Sequence, residues 1–495
     1  MPEHGTTGQD GPSALRSRSL GAIGTLIKRQ AAVRAMNFGA NVLLARLLVP
    51  DVFGVYAIVL FVVQFLSTFG DVGIGAALIQ KKEEVTEEEL SSVFWLQQAL
   101  AWSVVLAAWL LAPLAGLLYP SLPPFAAWLV RAMAVSFALA SLKTVPAILM
   151  ERRLDFGRIA AVDIAETAAF YGTAVPLALA GAGVWSFIAA ALLRSACGVL
   201  MIYSMADWRP SRPFSASAAG GLVRFGLPYQ GNTVLSFVKD AVTPLFVGVY
   251  CGAQAVGLLN WARTFAFAPL MLSEAFGRVA FPAFSRIQGD RPLLARAVER
   301  SMRAMTLLLF PVTALMAALG PELVHALFTD KWRPGLRAFY FYCASPMMAG
   351  IALPMYSAIL ALGRSGIVLK MMLTLLALEW GLGVPLVVIF GFDGIAFSQP
   401  LVAGLFFFVY RAVLKVESVP VRTLANIAPQ LLAAASAAGA ARLAMSLLPG
   451  TLAGVSAAAV CGGAVYAAAV RLAAPAALSE LRQDLAGLFC RGGAR

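Results

Sequence analysis

Four polar side chains, Gln30, Arg34, Asn37 and Asn41, fall at i, i+4, i+7 and i+11 within an otherwise apolar stretch, which puts them on one face of a helix. About 202 residues later Asn232, Ser236, Lys239 and Thr243 repeat that spacing. A stripe of amides and hydroxyls with one cation suits the holding of an anion, such as a diphosphate, in place of water. The apolar stretch after each stripe adds Gln64, Thr68 and Asp71 in the first case and Asn260, Arg263, Glu274 and Arg278 in the second. Arg34, Lys239 and Arg263, with Asn37, Asn41 and Asn232, are therefore the candidate binding residues. Asp71 and Glu274 are candidates for a gate, with helix packing or pairing to these cations as the alternatives. Asp163 and Glu166, three residues apart on one helical face, could titrate as a proton or cation site, or form salt bridges with Arg158 or Arg194. Glu379 stands in an apolar stretch and requires either a partner elsewhere or a proton. The plainer alternatives are snorkelling, as for Lys28, Arg29, Arg46 and Arg224, and interhelical bridging by Asn, Ser and Thr, worth about 0.6 kcal/mol each.

These residues lie in a chain of 495 residues with 60% hydrophobic and 13% charged residues and a mean hydropathy of +0.80. Such a chain belongs in a bilayer. Apolar runs of about 20 residues recur along most of it, which matches helices crossing roughly 30 Å of hydrocarbon. The fold class expected is an all-α polytopic membrane protein with about fourteen transmembrane helices. Its expected organisation is a flexible tail (1–20), a six-helix bundle (21–206), a linker (207–220), a second six-helix bundle (221–415), two additional helices (416–473) and an amphipathic tail (474–495).

The net charge of +13 follows topology and does not point to nucleic acid. Lys81 and Lys82, Arg152, Arg153 and Arg158, Arg286 and Arg291, and Arg411 and Lys415 gather in alternate loops, whereas the turns at 119–124, 181–183, 252–255 and 391–394 carry no cation. This bias predicts a cytoplasmic location for both termini and an even number of crossings. The segment from Glu322 to Arg337, with Lys331, Arg333 and Arg337, is the exception. Five dispersed cysteines and two histidines, His4 and His325, argue against disulfides, metal sites and histidine catalysis, and no cofactor motif is present. With no ATPase domain, uphill transport would draw on an H+ or Na+ gradient, on membrane potential, or on consumption of the product downstream.

The chain also repeats itself. PDVFGVYA from Pro50 pairs with AQAVGLLN from Ala253, so that Gly54 aligns with Gly257 and Asp71 with Glu274. LAGLLY from Leu114 pairs with LVHALF from Leu323, and GVW from Gly183 with GIA from Gly394. Two hydrophobic halves related in this way are the sequence signature of a transporter.

The stretch from Leu43 to Glu83, with its L-A-R-L-L-x-P turn, F-G-x-Y and D-x-G-x-G-x-A-L-I-Q, resembles the N-terminal signature of bacterial oligosaccharide flippases, the Wzx-type polysaccharide exporters. Gly257 to Asp290 and LVHALFTDKW from Leu323 resemble later signatures of the same family. The resemblance implies pseudo-symmetric bundles around a central cavity, alternating access, a bacterial inner-membrane location and no enzymatic activity. Its implied cargo is an undecaprenyl-diphosphate-linked oligosaccharide for capsule, exopolysaccharide or lipopolysaccharide assembly. Implied partners are membrane lipids, a polysaccharide polymerase and chain-length machinery. The related lipid II flippase places cations of its first, second and eighth helices in the cavity; Arg34 and Arg263 are the nearest equivalents, while the second helix here offers Gln64 and Asp71 instead of a cation. A cation-coupled multidrug antiporter of the same superfamily is the alternative, and a glycan polymerase or ligase using Arg333 and Arg337 is a third.

Overall fold

The computed structural model describes residues 33, 36–70, 78, 85–153, 155–211, 214, 215, 230, 233–473, 475, 479 and 480. The regular elements among these residues are helical, and none is a strand. Among the described residues eleven helices are long and apolar enough to cross a bilayer, so the chain is a multi-pass membrane protein. The fourteen expected crossings would further include the first segment, helical over residues 36–47, the more charged Phe156–Leu179 helix, and the eighth segment. That eighth segment, over 253–286, is not one continuous helix. It is an α-helix over Ala253–Ala266, a 3-10 stretch over Ala268–Ser273 and a second α-helix over Glu274–Arg286. Pro269 lies at the break, where its missing N–H and fixed φ disfavour a continuous α-helical ladder.

The chain divides into two compact units, Met1–Phe237 and Val238–Arg495. In the first, the Phe156–Leu179 helix packs along Trp185–Met205, and Glu87–Leu118 packs along Ala126–Ser141. In the second, Arg291–Ala318 packs against both Leu336–Ala361 and Thr423–Leu447, and the latter pairs with Leu452–Ala473. Outward faces carry large apolar side chains such as Leu106, Leu110 and Leu117, as expected where lipid replaces water. Between helices the side chains are small. Ala437 and Ala441 face Gly462, where an added Cβ would lie 2.8 Å from the Ala437 carbonyl oxygen and 3.0 Å from the Ala441 methyl. This close backbone approach is the usual means of packing helices in lipid.

Local signals set the ends of the elements that matter below. Thr86 accepts from the Glu89 amide at 3.2 Å while the Glu89 carboxylate accepts from the Thr86 amide at 3.0 Å, a reciprocal cap that starts Glu87–Leu118. Asp155 caps Phe156–Leu179 by accepting from the Arg158 amide at 3.2 Å. The turns that follow Phe156–Leu179 and Ser365–Phe390 place Gly181 at φ 80° and Gly391 at φ 66°, a left-handed conformation that glycine adopts without a Cβ penalty. The segment LVHALFTDKW forms short π and 3-10 turns over Val324–Phe328 and Asp330–Gly335. Its Trp332 is fully buried, 5.5 Å from the ring of Trp261, and Phe328 meets Trp261 edge-on at 5.4 Å. The second-half signature residues thus build one aromatic cluster.

Candidate functional site

Each unit holds its own cluster of polar side chains at membrane depth. In the first unit, Asn37 and Asn41 stand one turn apart on the helix over residues 36–47. The Asn41 amide donates to the Asn37 carbonyl at 2.8 Å and to the Tyr171 hydroxyl at 2.9 Å, tying that helix to Phe156–Leu179. One turn before Tyr171, Thr167 donates its hydroxyl to the Asp163 carbonyl at 2.7 Å. Glu166, on the same helix, is 2% exposed. Its carboxylate pairs with Lys143, which sits in the break between Ala126–Ser141 and Thr144–Arg152, and with the Arg194 Nε at 3.4 Å.

Arg194 also lines a cavity of about 300 Å³. Asn37, Asn41 and Arg194 line it together with Tyr56, Tyr171 and Phe187. Tyr56 stacks on Phe187 at 4.7 Å, and Phe53 meets Phe187 edge-on at 5.0 Å, giving one wall fixed by aromatic packing. The lining also includes the polar side chains of Asn37, Asn41, Thr167 and Arg194. A site with an apolar wall and a few convergent donors is the usual form of a small-molecule pocket.

In the second unit, Lys239 donates to the Asp240 carboxylate at 2.8 Å and Arg263 to the same oxygen at 3.3 Å. Glu379 is 8% exposed and accepts two contacts from the Gln399 amide, at 2.9 and 2.8 Å. Tyr342 completes the lining of a cavity of about 20 Å³, room for roughly one water. A π-helical turn over Val242–Val247 begins two residues after Asp240 and widens the helix beside the cluster. Two cations share one carboxylate here, that of Asp240, and Glu379 with Gln399 lines the same cavity.

Of the ten residues singled out from the sequence, Asn37 and Asn41 line the first cavity, and Lys239 and Arg263 line the second. Glu166 pairs with Arg194, which lines the first cavity, and Asp163 lies one turn away on the same helix. Arg34, Asp71 and Asn232 lie outside the described residues, as does the side chain of Glu274, which opens the Glu274–Arg286 helix. Of the two partners expected for Asp163 and Glu166, Arg194 pairs with Glu166, whereas Arg158 pairs with Asp155 at 3.3 Å. Lys143, Tyr56, Asp240 and Gln399 were not anticipated. Asp240 carried the most legible signal, a second charge beside Lys239 in an apolar run. Lys143 and Gln399 approach only through packing between helices.

A family model for polysaccharide biosynthesis proteins matches residues 43–336. The succinoglycan biosynthesis transport protein ExoT of Rhizobium meliloti is 32% identical over 294 residues, 59% of this chain and 58% of that protein. The lipopolysaccharide biosynthesis protein WzxC of Escherichia coli is 25% identical over 332 residues, 66% of each chain. The chain therefore matches less than two thirds of the length of these relatives. Among solved structures, the lipid II flippase MurJ in an inward closed conformation superimposes with a TM-score of 0.68, covering 90% of this chain and 98% of that one at 14% identity. That likeness concerns the fold.

Proposed function

This chain belongs to the polysaccharide biosynthesis protein family, and from that premise we propose that it flips a lipid-linked oligosaccharide across the membrane by alternating access. The cargo is an undecaprenyl-diphosphate-linked repeat unit, carried from the cytoplasmic to the periplasmic leaflet for capsule, exopolysaccharide or lipopolysaccharide assembly. The protein resides in a bacterial inner membrane with both termini in the cytoplasm, and a polysaccharide polymerase and chain-length machinery take the product onward. Supporting this reading are relatives named for the biosynthesis of succinoglycan and lipopolysaccharide.

The observation that carries it is the placement of Arg194, Lys239 and Arg263 within membrane helices and against polar cavities. Cations at that depth are costly unless a polar partner or aqueous cavity receives them, and they suit an anionic headgroup. Organic cations, the cargo of a multidrug antiporter, would meet repulsion at the same positions. Gradient coupling through H+ or Na+ falls to the buried carboxylates Glu166 and Glu379, whose partners are described above.

The test is complementation of a deletion strain. Replacing Arg34 and Lys239 together by Ala is expected to abolish surface polysaccharide while protein abundance is unchanged; full export by the double variant would count against the cationic pathway. Replacing Arg333 and Arg337 is expected to leave the polymer unchanged, and its loss would instead favour a polymerase or ligase.

A further inference from the structure

We propose that the cavity of the first unit is a subsite for one sugar ring that bears an oxyanion, gripped by Arg194, Tyr56, Tyr171 and Asn37. This inference rests on the reading of the cargo as a glycan and adds where, and by which chemistry, one of its rings is held.

Size is the first observation. At about 300 Å³ the cavity stands at the lower end of small-molecule sites, roughly 300–1,000 Å³, a size that suits a single ring. The second is the donor set. Arg194 commits its Nε to Glu166, and its two terminal nitrogens have no partner among the described residues. A guanidinium in that state presents a planar fork that fits a carboxylate or a phosphate. Arg194 lies nine residues after Trp185, about 14 Å along its helix, which is mid-depth in hydrocarbon roughly 30 Å thick. At that depth its bare edge calls for an anion.

The remaining groups narrow the ligand further. Tyr171 accepts from Asn41 and so keeps its own proton to donate. The Tyr56 hydroxyl and the Asn37 amide line the cavity without a hydrogen-bond partner among the described residues. An acyl chain would leave all of these unsatisfied. A bare inorganic anion would engage Arg194 and leave the aromatic wall of Tyr56, Phe53 and Phe187 unused. A pyranose offers an apolar ring face to that wall, hydroxyls to Tyr56, Tyr171 and Asn37, and an anionic substituent to the fork. The oxyanion has two possible sources, the carboxylate of an acidic sugar in the repeat unit or the phosphate next to the first sugar on the lipid carrier.

Binding to the purified full-length protein in detergent separates these outcomes. Glucose, glucuronate and glucose 1-phosphate, their galacto counterparts and inorganic phosphate are titrated calorimetrically. At least one anionic sugar is expected to bind tenfold or more tightly than its neutral parent; glucuronate ahead of glucose 1-phosphate assigns an acidic sugar, and the reverse order the reducing-end sugar. Arg194→Gln is expected to erase that preference, and Tyr56→Phe to weaken anionic and neutral sugars together by severalfold without altering the preference. Should Arg194→Gln fail to fold, Tyr56→Phe and Asn37→Ala still report. Equal binding of neutral and anionic sugars, no sugar binding at all, or inorganic phosphate binding as tightly as the sugar phosphate overturns the subsite. Export is measured separately: intact export without sugar binding removes only this inference, whereas sugar binding in a protein that supports no export removes the flippase reading.

Discussion

Glu166 shows how much depends on a single side chain. It is almost fully buried, and it answers two cations, Lys143 from a helix break and Arg194 from the Trp185–Met205 helix. Room for it is made by Gly198 on the Trp185–Met205 helix, where an added Cβ would overlap the carboxylate and come within 3.0 Å of its Cγ. Gly198→Ala is therefore expected to push Glu166 off its partners and cost about 1–3 kcal/mol, seen as a lower midpoint of thermal unfolding in detergent. Glu166→Gln keeps the shape but leaves Lys143 and Arg194 facing each other without a counter-charge. Losing one partner of a buried pair costs about 3–5 kcal/mol, and the half-exposed Arg194 moves the expected loss toward 1–3 kcal/mol. Adding Lys143→Met to Glu166→Gln is expected to restore part of that loss, which a double-mutant cycle would measure. At this scale the sequence showed that Asp163 and Glu166 needed partners and offered Arg194 as one. It could not show Lys143, because a helix break 23 residues away brings that amine in.

Helical elements were more legible than the departures within them. Long apolar runs mark where helices cross, since every backbone polar group in lipid needs an internal partner. Breaks inside a run depend on a single Pro, as at Pro269, or on side chains contributed from elsewhere, and period alone does not reveal them. The segment from Glu322 to Arg337 illustrates the second case. Its cations suggested chemistry, yet its organising residue is Trp332, buried against Trp261 and close to the start of Leu336–Ala361. Gly335 lets the chain pass over that ring, since an added Cβ would meet Trp261 at 3.2 Å. Trp332→Ala is expected to cost about 3–5 kcal/mol through the cavity it leaves, while Trp332→Phe, which refills much of the space, costs less. Thermal unfolding of the two variants in detergent checks the order; equal midpoints would mean that the aromatic cluster does not anchor the segment.

At the scale of the whole molecule, the two units are furnished differently, which the duplicated sequence pattern does not reveal. Each unit buries a glutamate on the helix that precedes a left-handed glycine turn, Glu166 before Gly181 and Glu379 before Gly391. The first glutamate supports an arginine whose fork is bare beside a cavity of about 300 Å³, whereas the second accepts from Gln399 beside a cavity of about 20 Å³ lined by Lys239, Asp240 and Arg263. The difference arises from residues distant in sequence, such as Tyr56 and Phe187 in one unit and Asp240 and Gln399 in the other, so no alignment of the halves would have displayed it. It predicts a division of labour in which the first unit grips a sugar ring while the second, through Lys239 and Arg263 held on Asp240, receives the anionic headgroup during transport. Asp240→Asn removes the carboxylate shared by Lys239 and Arg263 without touching the first cavity. Export is then expected to fall at least tenfold while anionic-sugar binding stays at the wild-type level, whereas Arg194→Gln lowers both. Parallel binding titrations and export assays on the two variants decide the matter: if Asp240→Asn weakens sugar binding as much as Arg194→Gln does, the units do not divide the work in this way.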